Sequence, residues 1–272
     1  MAKYIQVKIE NATAEQNEIL IALLSENGYE GFEEGDKSLT AFIPESEFKE
    51  ELLLETLQPF QLNFSKEIIA EKNWNEEWEK NFEPVRVEDF CAVRASFHQP
   101  ITNVKHEIII TPKMSFGTGH HATTYMMMKN METIDFGGKS VLDFGTGTGV
   151  LAILAEKLGA TKVYAIDNDE WSISNGKENI DNNHCHHIRI EQKDNLDELG
   201  VYDIILANIN RNVLLDNMQS IAKSVKTNGI VLMSGFYEED IPVLVSTGQT
   251  YGLTFGHKSE KTKWCCLQFT KN

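Results

Sequence analysis

The spacing of apolar residues changes period several times along the chain. Residues 4–9 alternate apolar and polar, which predicts a strand with one buried face. The spacing then lengthens, and Ile19, Leu20, Leu23 and Leu24 form one helical stripe. Thr13-Ala-Glu-Gln16 opens that helix as a capping box, and Asn27-Gly28 stops it. Residues 31–34 and 39–43 flank Gly35-Asp36-Lys37 and predict a hairpin. Residues 46–57 return to helical spacing through Phe48, Leu52, Leu53 and Leu57, before Pro59. A strand over 61–70 closes the pattern. The order βαββαβ predicts a small ferredoxin-like α+β domain over residues 1–70.

Residues 71–83 are charged or asparagine except for Trp74, Trp78 and Phe82, which repeat at i, i+4 and i+8 ahead of Pro84. This predicts a helix within a linker region of residues 71–105. Strands are expected at 85–95 and 107–110, and a helix running through Met131. From there short apolar runs alternate with helices. Strands fall at 162–166, 188–192, 202–207 and 229–233, and helices at 150–158, 170–182 and 212–225. Ser234-Gly235 is expected as the turn after the 229–233 strand. A helix over 238–247 and strands at 253–258 and 264–269 finish the chain. The alternation predicts an α/β domain with a mostly parallel, Rossmann-like sheet over residues 106–272.

Chemistry concentrates at Ser140-Val-Leu-Asp-Phe-Gly-Thr-Gly-Thr-Gly149. Val141, Leu142 and Phe144 suit a strand buried on both faces. Gly145, Gly147 and Gly149 let the backbone turn tightly and approach a ligand. The helix that follows ends at Gly159. Asp167 closes the next strand 22 positions after Gly145, where a carboxylate can accept both hydroxyls of a ribose. A dinucleotide fingerprint would need its third glycine at position 150, which is Val150. Asp143, just before the loop, adds a negative charge that suits a cationic ligand. It would offset that charge at longer range or brace the loop. Asp-x-Gly-x-Gly-x-Gly with a later Asp resembles the S-adenosylmethionine site of class I methyltransferases. Asp194 follows the third strand and Asn208 the fourth, at the edge where open α/β sheets place their ligands.

Phe116-Gly-Thr-Gly-His-His-Ala-Thr-Thr124 precedes the first cofactor strand. Its glycines predict a segment that folds over a bound cofactor, bringing Phe116 and Thr118 to it. No metal site is expected. His120 and His121 are adjacent, a spacing that rarely chelates one ion. His184, Cys185, His186 and His187 read as a loop before residue 188.

The formal charge is −16, and residues 1–80 hold 18 acidic against 7 basic residues. The chain presents no basic stretch of the kind nucleic-acid binders carry, and its acidic front suits a basic protein partner. No apolar run approaches the length of a membrane span, and the N-terminus lacks a signal-peptide core. Cys91, Cys185, Cys265 and Cys266 show no C-x-x-C spacing. They predict buried thiols in a cytoplasmic protein, with Cys265 and Cys266 facing opposite sides of a strand.

The segment at 116–124, the glycine loop, Ala207-Asn-Ile-Asn210, Met233-Ser-Gly235, the Trp74–Trp78 stretch and Lys263-Trp264 together resemble the ribosomal protein L-eleven methyltransferase family. They span both predicted domains. The resemblance implies a class I methyltransferase sheet, ending antiparallel, behind a small N-terminal substrate-recognition domain. It implies methyl transfer from S-adenosyl-L-methionine to lysine ε-amines and the N-terminal amine of a basic ribosomal protein of the large subunit. By position it carries cofactor contacts to Thr124, Gly145, Asp167 and Asn208. Asn208 would also orient the accepting amine, as the one catalytic candidate. Gly147, Asp143, Asp194, Phe116 and Thr118 complete the candidate cofactor set. Ala122 and Asn210-Arg211-Asn212-Val213 depart from the family pattern. Methyltransferases acting on glutamine or adenine nitrogens carry Asn-Pro-Pro-Tyr after strand four, where this chain has Asn208-Ile209-Asn210-Arg211. A non-catalytic assembly factor on the same scaffold is the remaining alternative.

Overall fold

The structure, a computed structural model, describes residues 3–35, 37–70, 82–112, 117 and 119–272. The chain divides into two compact units, Met1–Asn81 and Phe82–Asn272. In the first, β1 (Lys3–Glu10), α1 (Ala14–Glu26), β2 (Gly31–Gly35), β3 (Ser38–Pro44), α2 (Glu50–Leu57) and β4 (Asn63–Ala70) follow in the expected order. Their sheet runs β2-β3-β1-β4, with every neighbouring pair antiparallel.

The capping box of α1 is present, with Gln16 N–H donating to Thr13 and Thr13 N–H to the Gln16 side chain. The buried stripe of that helix differs from the expected one. Leu20 and Leu24 are buried, while Ile19 is 49% and Leu23 37% exposed. The stripe is completed by Asn17, which is buried and bonds the Ser38 carbonyl, so a polar residue holds a core-facing position. On α2, Leu53 and Leu57 turn inward and Leu52 outward. That helix begins at Glu50, four residues later than expected, because the Pro44 carbonyl takes the Glu47 and Phe48 N–H groups into a turn first.

The second unit opens with β5 (Val85–Val87), β6 (Cys91–Ala95) and β7 (His106–Ile110), which form a sheet of order β5-β6-β7. The strand expected over 85–95 breaks at Glu88, whose φ is +52°. Residues 82–105, expected as linker, therefore fold with the second unit, because β6 pairs in parallel with β7. The other linker positions, with Trp74 and Trp78, lie outside the described residues.

The larger sheet is built from β8 (Ser140–Phe144), β9 (Lys162–Asp167), β10 (Ile188–Gln192), β11 (Tyr202–Asn208), β12 (Val225–Tyr237), β13 (Leu253–Lys261) and β14 (Trp264–Lys271). Its order is β10-β9-β8-β11-β12-β14-β13. The first five strands in space are parallel, and β14 runs antiparallel to both β12 and β13. The direction of winding reverses between β8 and β11, and open α/β sheets bind ligands at such a switch point. Alternate residues feed two cores. Val141, Val163, Leu206 and Cys266 pack on one face, and Leu142, Tyr164, Ile205 and Cys265 on the other. The adjacent cysteines do face opposite sides, and all four thiols are free and buried.

Helices α3 (Ala122–Met131), α4 (Val150–Lys157), α5 (Glu170–Asn182), α6 (Arg211–Ser224) and α7 (Ile241–Thr250) complete the unit. Asn175, Asn179 and Asn183 recur at four-residue spacing on and just past α5. Asn183 exchanges two hydrogen bonds with the Ile109 backbone, and Asn179 and Asn175 take the Thr111 N–H and carbonyl. Their amides act as a partner strand, which ties the end of β7 to α5. No helix among the described residues is long and apolar enough to cross a membrane.

Candidate active site

The glycine loop leaves β8 and turns back beneath the end of β9. Gly145, Gly147 and Gly149 all have positive φ, at 75°, 53° and 81°. Gly145 and Thr146 N–H both donate to the Ile166 carbonyl (2.9 and 3.0 Å). Gly147 N–H donates to Asp167 Oδ2 (2.9 Å), and Asp169 N–H to Asp167 Oδ1 (3.0 Å). Each oxygen of Asp167 keeps acceptor capacity after one backbone bond. The strand-two carboxylate is thus pinned to the glycine loop itself.

Asp143 is fully buried under this loop. Its Oδ2 accepts from the Thr146 hydroxyl (2.6 Å), and the Ala152 backbone N–H also favours the carboxylate. Burial pushes its carboxyl up to about 7; hydrogen bonds from the Thr146 hydroxyl and the Ala152 backbone pull it back, and the Asp167 charge raises it further. Thr148 carries the loop outward, its hydroxyl donating to the Gly117 carbonyl (2.6 Å), and its carbonyl accepts from Asn179 Nδ2 (2.8 Å).

A cavity of about 460 Å³ opens beside the loop, within the range of about 300–1,000 Å³ usual for small-molecule sites. Gly145, Gly147, Asp167, Lys193 and Asp194 line one side, and Asn208, Ile209, Gly235, His121 and Trp264 the other. Asn208 Nδ2 donates to the hydroxyl of Thr124 (3.1 Å), which locks the amide, and its Oδ1 is buried without a partner. A buried carbonyl oxygen left unpaired costs about 1–3 kcal/mol, so this oxygen is free to take a donor that enters the cavity. The His121 and Trp264 rings meet edge to face (centroids 4.7 Å apart), and the Tyr237 ring lies 4.2 Å from Trp264.

Of the residues singled out from sequence, Gly145, Gly147, Asp167, Asp194 and Asn208 are brought together on the cavity wall. Thr124 is fully buried and stands behind Asn208, and Asp143 lies beneath the loop. Phe116 and Thr118 lie outside the described residues, while Gly117 and residues 119–124 of the expected folding-over segment are described. Ala122 opens α3. Asn210 caps α6 through Val213 N–H, and Arg211 pairs with Asp240 (2.9 Å), so the departing run anchors two elements. Among the described residues, no group of three or more His, Cys, Asp or Glu is placed to hold a metal ion.

Sequence reasoning missed the role of Ile209, Gly235 and the aromatic wall. Ser234-Gly235 is not a turn: β12 runs on to Tyr237 with Gly235 as a bulge, since Ser234 pairs with Cys266 and Phe236 with Cys265. The available signal was a glycine inside an apolar strand pattern, which marks a bulge or a close backbone approach.

Residues 3–272 match the family model described as ribosomal protein L11 methyltransferase (PrmA). The chain belongs to this family. A ribosomal protein L11 methyltransferase of Porphyromonas gingivalis is 44% identical over 261 residues, covering 93% of this chain and 90% of that protein. One of Bacteroides fragilis is 40% identical, covering 93% of each. The crystal structure of a ribosomal protein L11 methylase from Lactobacillus delbrueckii subsp. bulgaricus superposes with a TM-score of 0.65 at 28% identity. It covers 70% of this chain and all of that one. As a family member with the class I sheet order, the chain is a methyltransferase, and its cofactor is S-adenosylmethionine. The residues present fit that group: carboxylates for hydroxyls and positive charge, glycine backbone on the cavity wall, and an unpaired acceptor at Asn208.

Proposed function

We propose that this protein methylates ribosomal protein L11, at lysine ε-amines and at the N-terminal α-amine. The observation that carries the reading is the unpaired Asn208 Oδ1 on the cavity wall, in a chain of this family. S-adenosylmethionine, when bound, supplies a methyl group on a positively charged sulfur. Asp167 would take the ribose hydroxyls, and Asp194, at the exposed rim, would meet the adenine side. Gly145 and Gly147 would present their backbone to the ligand on the cavity wall, and Asp143 contributes a buried carboxyl beneath the loop. Thr124 acts through Asn208, whose amide it orients.

An amine must present a free lone pair. A lysine of ordinary pKa, about 10.4, is neutral only about once in a thousand near pH 7, and burial of the amine lowers that pKa. Asn208 Oδ1 accepts one N–H of the neutral amine and so aims its lone pair. The part of the Trp264 ring that lines the cavity would receive the alkylammonium before and after it changes charge. Alignment and exclusion of water carry the acceleration, with no strong base required.

The front unit would capture the basic substrate in the cytoplasm. Support comes from its acid-rich composition and from Ile19, Leu23, Leu52 and Leu54 exposed on its helices. Capture should weaken as salt rises, because exposed charges are screened beyond about 8–10 Å. Incubating the purified protein with methyl-labelled cofactor, ribosomal protein L11, the other large-subunit proteins and ribosomal RNA tests the whole reading. Label is expected in L11 amines; label confined to RNA, or none at all, would overturn it.

A further inference from the structure

The turn that presents Asn208 is gripped from two sides by positions that have no Cβ. Ile209 follows Asn208 out of β11, whose neighbours in the sheet are β8 and β12. On the β8 side, a Cβ at Gly145 would collide with Ile209 Cγ2. On the β12 side, a Cβ at Gly235 would collide with the Ile209 carbonyl oxygen and lie 2.7 Å from its carbonyl carbon. Gly235 has φ +106°, which side chains rarely adopt, and it is the extra residue of the bulge. Ile209 N–H donates to the Ser234 carbonyl (3.1 Å), one residue before that bulge. Ser234 is in turn held by its hydroxyl on the Cys265 carbonyl (2.7 Å).

We propose that Ile209 and Gly235 are positioning residues, which set the Asn208 carbonyl for the accepting amine while leaving cofactor binding to the opposite wall. The inference rests on the amine-acceptor reading above. An ångström of displacement at Ile209 moves the adjoining Asn208 peptide, and with it the unpaired Oδ1. Ile209 also packs on Gly145, but the glycine loop and Asp167 are held by hydrogen bonds to Ile166 and to each other, which keep them in place. Bulges beside active sites commonly re-aim side chains. Here the same bulge also brings Tyr237 opposite Trp264.

The test uses full-length Gly235→Ala. The substitution forces the Ile209 carbonyl away. The turnover number on ribosomal protein L11 should fall by roughly tenfold to a hundredfold, as expected for a misplaced orienting group. The dissociation constant for S-adenosylmethionine, read by calorimetry, should stay within about twofold of the parent. In the free protein, exchange of the Ile209 amide should speed up by at least about tenfold, with exchange over residues 140–150 unchanged. Ile209→Ala keeps every backbone bond and removes the wedge over Gly145. It should show the same split between turnover and cofactor affinity with a smaller loss, and it stands in if the first variant does not fold. A loss of cofactor affinity matching the loss of turnover, unchanged turnover, or unchanged Ile209 exchange in Gly235→Ala would each overturn the assignment. If the parent protein transfers no methyl group to L11, the functional reading fails, and the exchange comparison still judges the grip.

Discussion

The two walls of the cavity are made in different ways. The wall at β8 and β9 comes from one continuous stretch, with Asp143, Gly145 and Gly147 close in sequence and Asp167 at the end of the next strand. Its bonds are local, from the loop to Ile166 and from Gly147 to Asp167. The facing wall draws Asn208 from β11, Gly235 from β12, Trp264 from β14, and Thr124 and His121 from α3 and its cap. A local wall tolerates drift elsewhere in the sheet. The assembled one depends on register across three strands. The first should therefore govern cofactor affinity, and the second turnover and substrate fit.

The largest expected effect tests that division directly. Asn208→Ala removes the acceptor and leaves the Thr124 hydroxyl facing a gap. Turnover should fall on the order of a hundredfold, the usual cost of losing alignment, with cofactor affinity changed far less. Equal losses in both, by steady-state kinetics and calorimetry, would erase the distinction between the walls. The next effect lies on the local wall. Asp167→Asn keeps the volume but sets an NH₂ against one of two backbone donors and removes the charge. Hydrogen bonds to charged groups are worth roughly 1.5–3 kcal/mol, so the dissociation constant for S-adenosylmethionine should rise at least about tenfold. Turnover at saturating cofactor should be largely kept. Unchanged affinity would remove Asp167 from the ribose role.

The contrast also explains what the sequence disclosed. Period and punctuation placed every strand of the large sheet to within a few residues, because β8, β9 and β11 are apolar runs closed by glycine, aspartate and asparagine in turn. The local wall was legible for the same reason: three glycines and Asp167 sit at spacings that backbone geometry alone demands. The assembled wall was not, since nothing near position 264 states that its ring will face Tyr237. That pairing follows from a bulge at Gly235, which periodicity misread as a turn. The front helices failed differently. Ile19 and Leu23 match the period of a buried stripe, yet α1 rotates to bury Asn17 against Ser38 instead.

A smaller effect is expected at the aromatic part of the assembled wall. Trp264→Leu keeps an apolar surface and removes the π face. Such contacts with a cation contribute about 0.5–2 kcal/mol. The KM for ribosomal protein L11 should rise by a few-fold up to about thirtyfold, and cofactor affinity should hold. An unchanged KM would leave Trp264 as a packing residue between His121 and Tyr237.

The smallest effect comes from beneath the local wall. Asp143 titrates at about 7 in the folded chain against an ordinary 3.8. Between those values the folded state keeps a proton that the unfolded state has lost. The contribution of this group to stability is therefore complete below the lower value and is lost as pH rises through the upper one. A cationic ligand favours the ionised carboxylate, so its binding releases a proton and tightens with rising pH. Between about pH 6 and 8, affinity for S-adenosylmethionine should improve by roughly threefold while the melting temperature of the free protein declines. Asp143→Asn preserves shape, and its amide can still meet the Thr146 hydroxyl. In that variant both slopes should flatten relative to the parent, which assigns them to Asp143 rather than to other groups of the protein. Parallel slopes in parent and variant, measured by calorimetry and thermal melting across that interval, would show that the loop carries no titrating group.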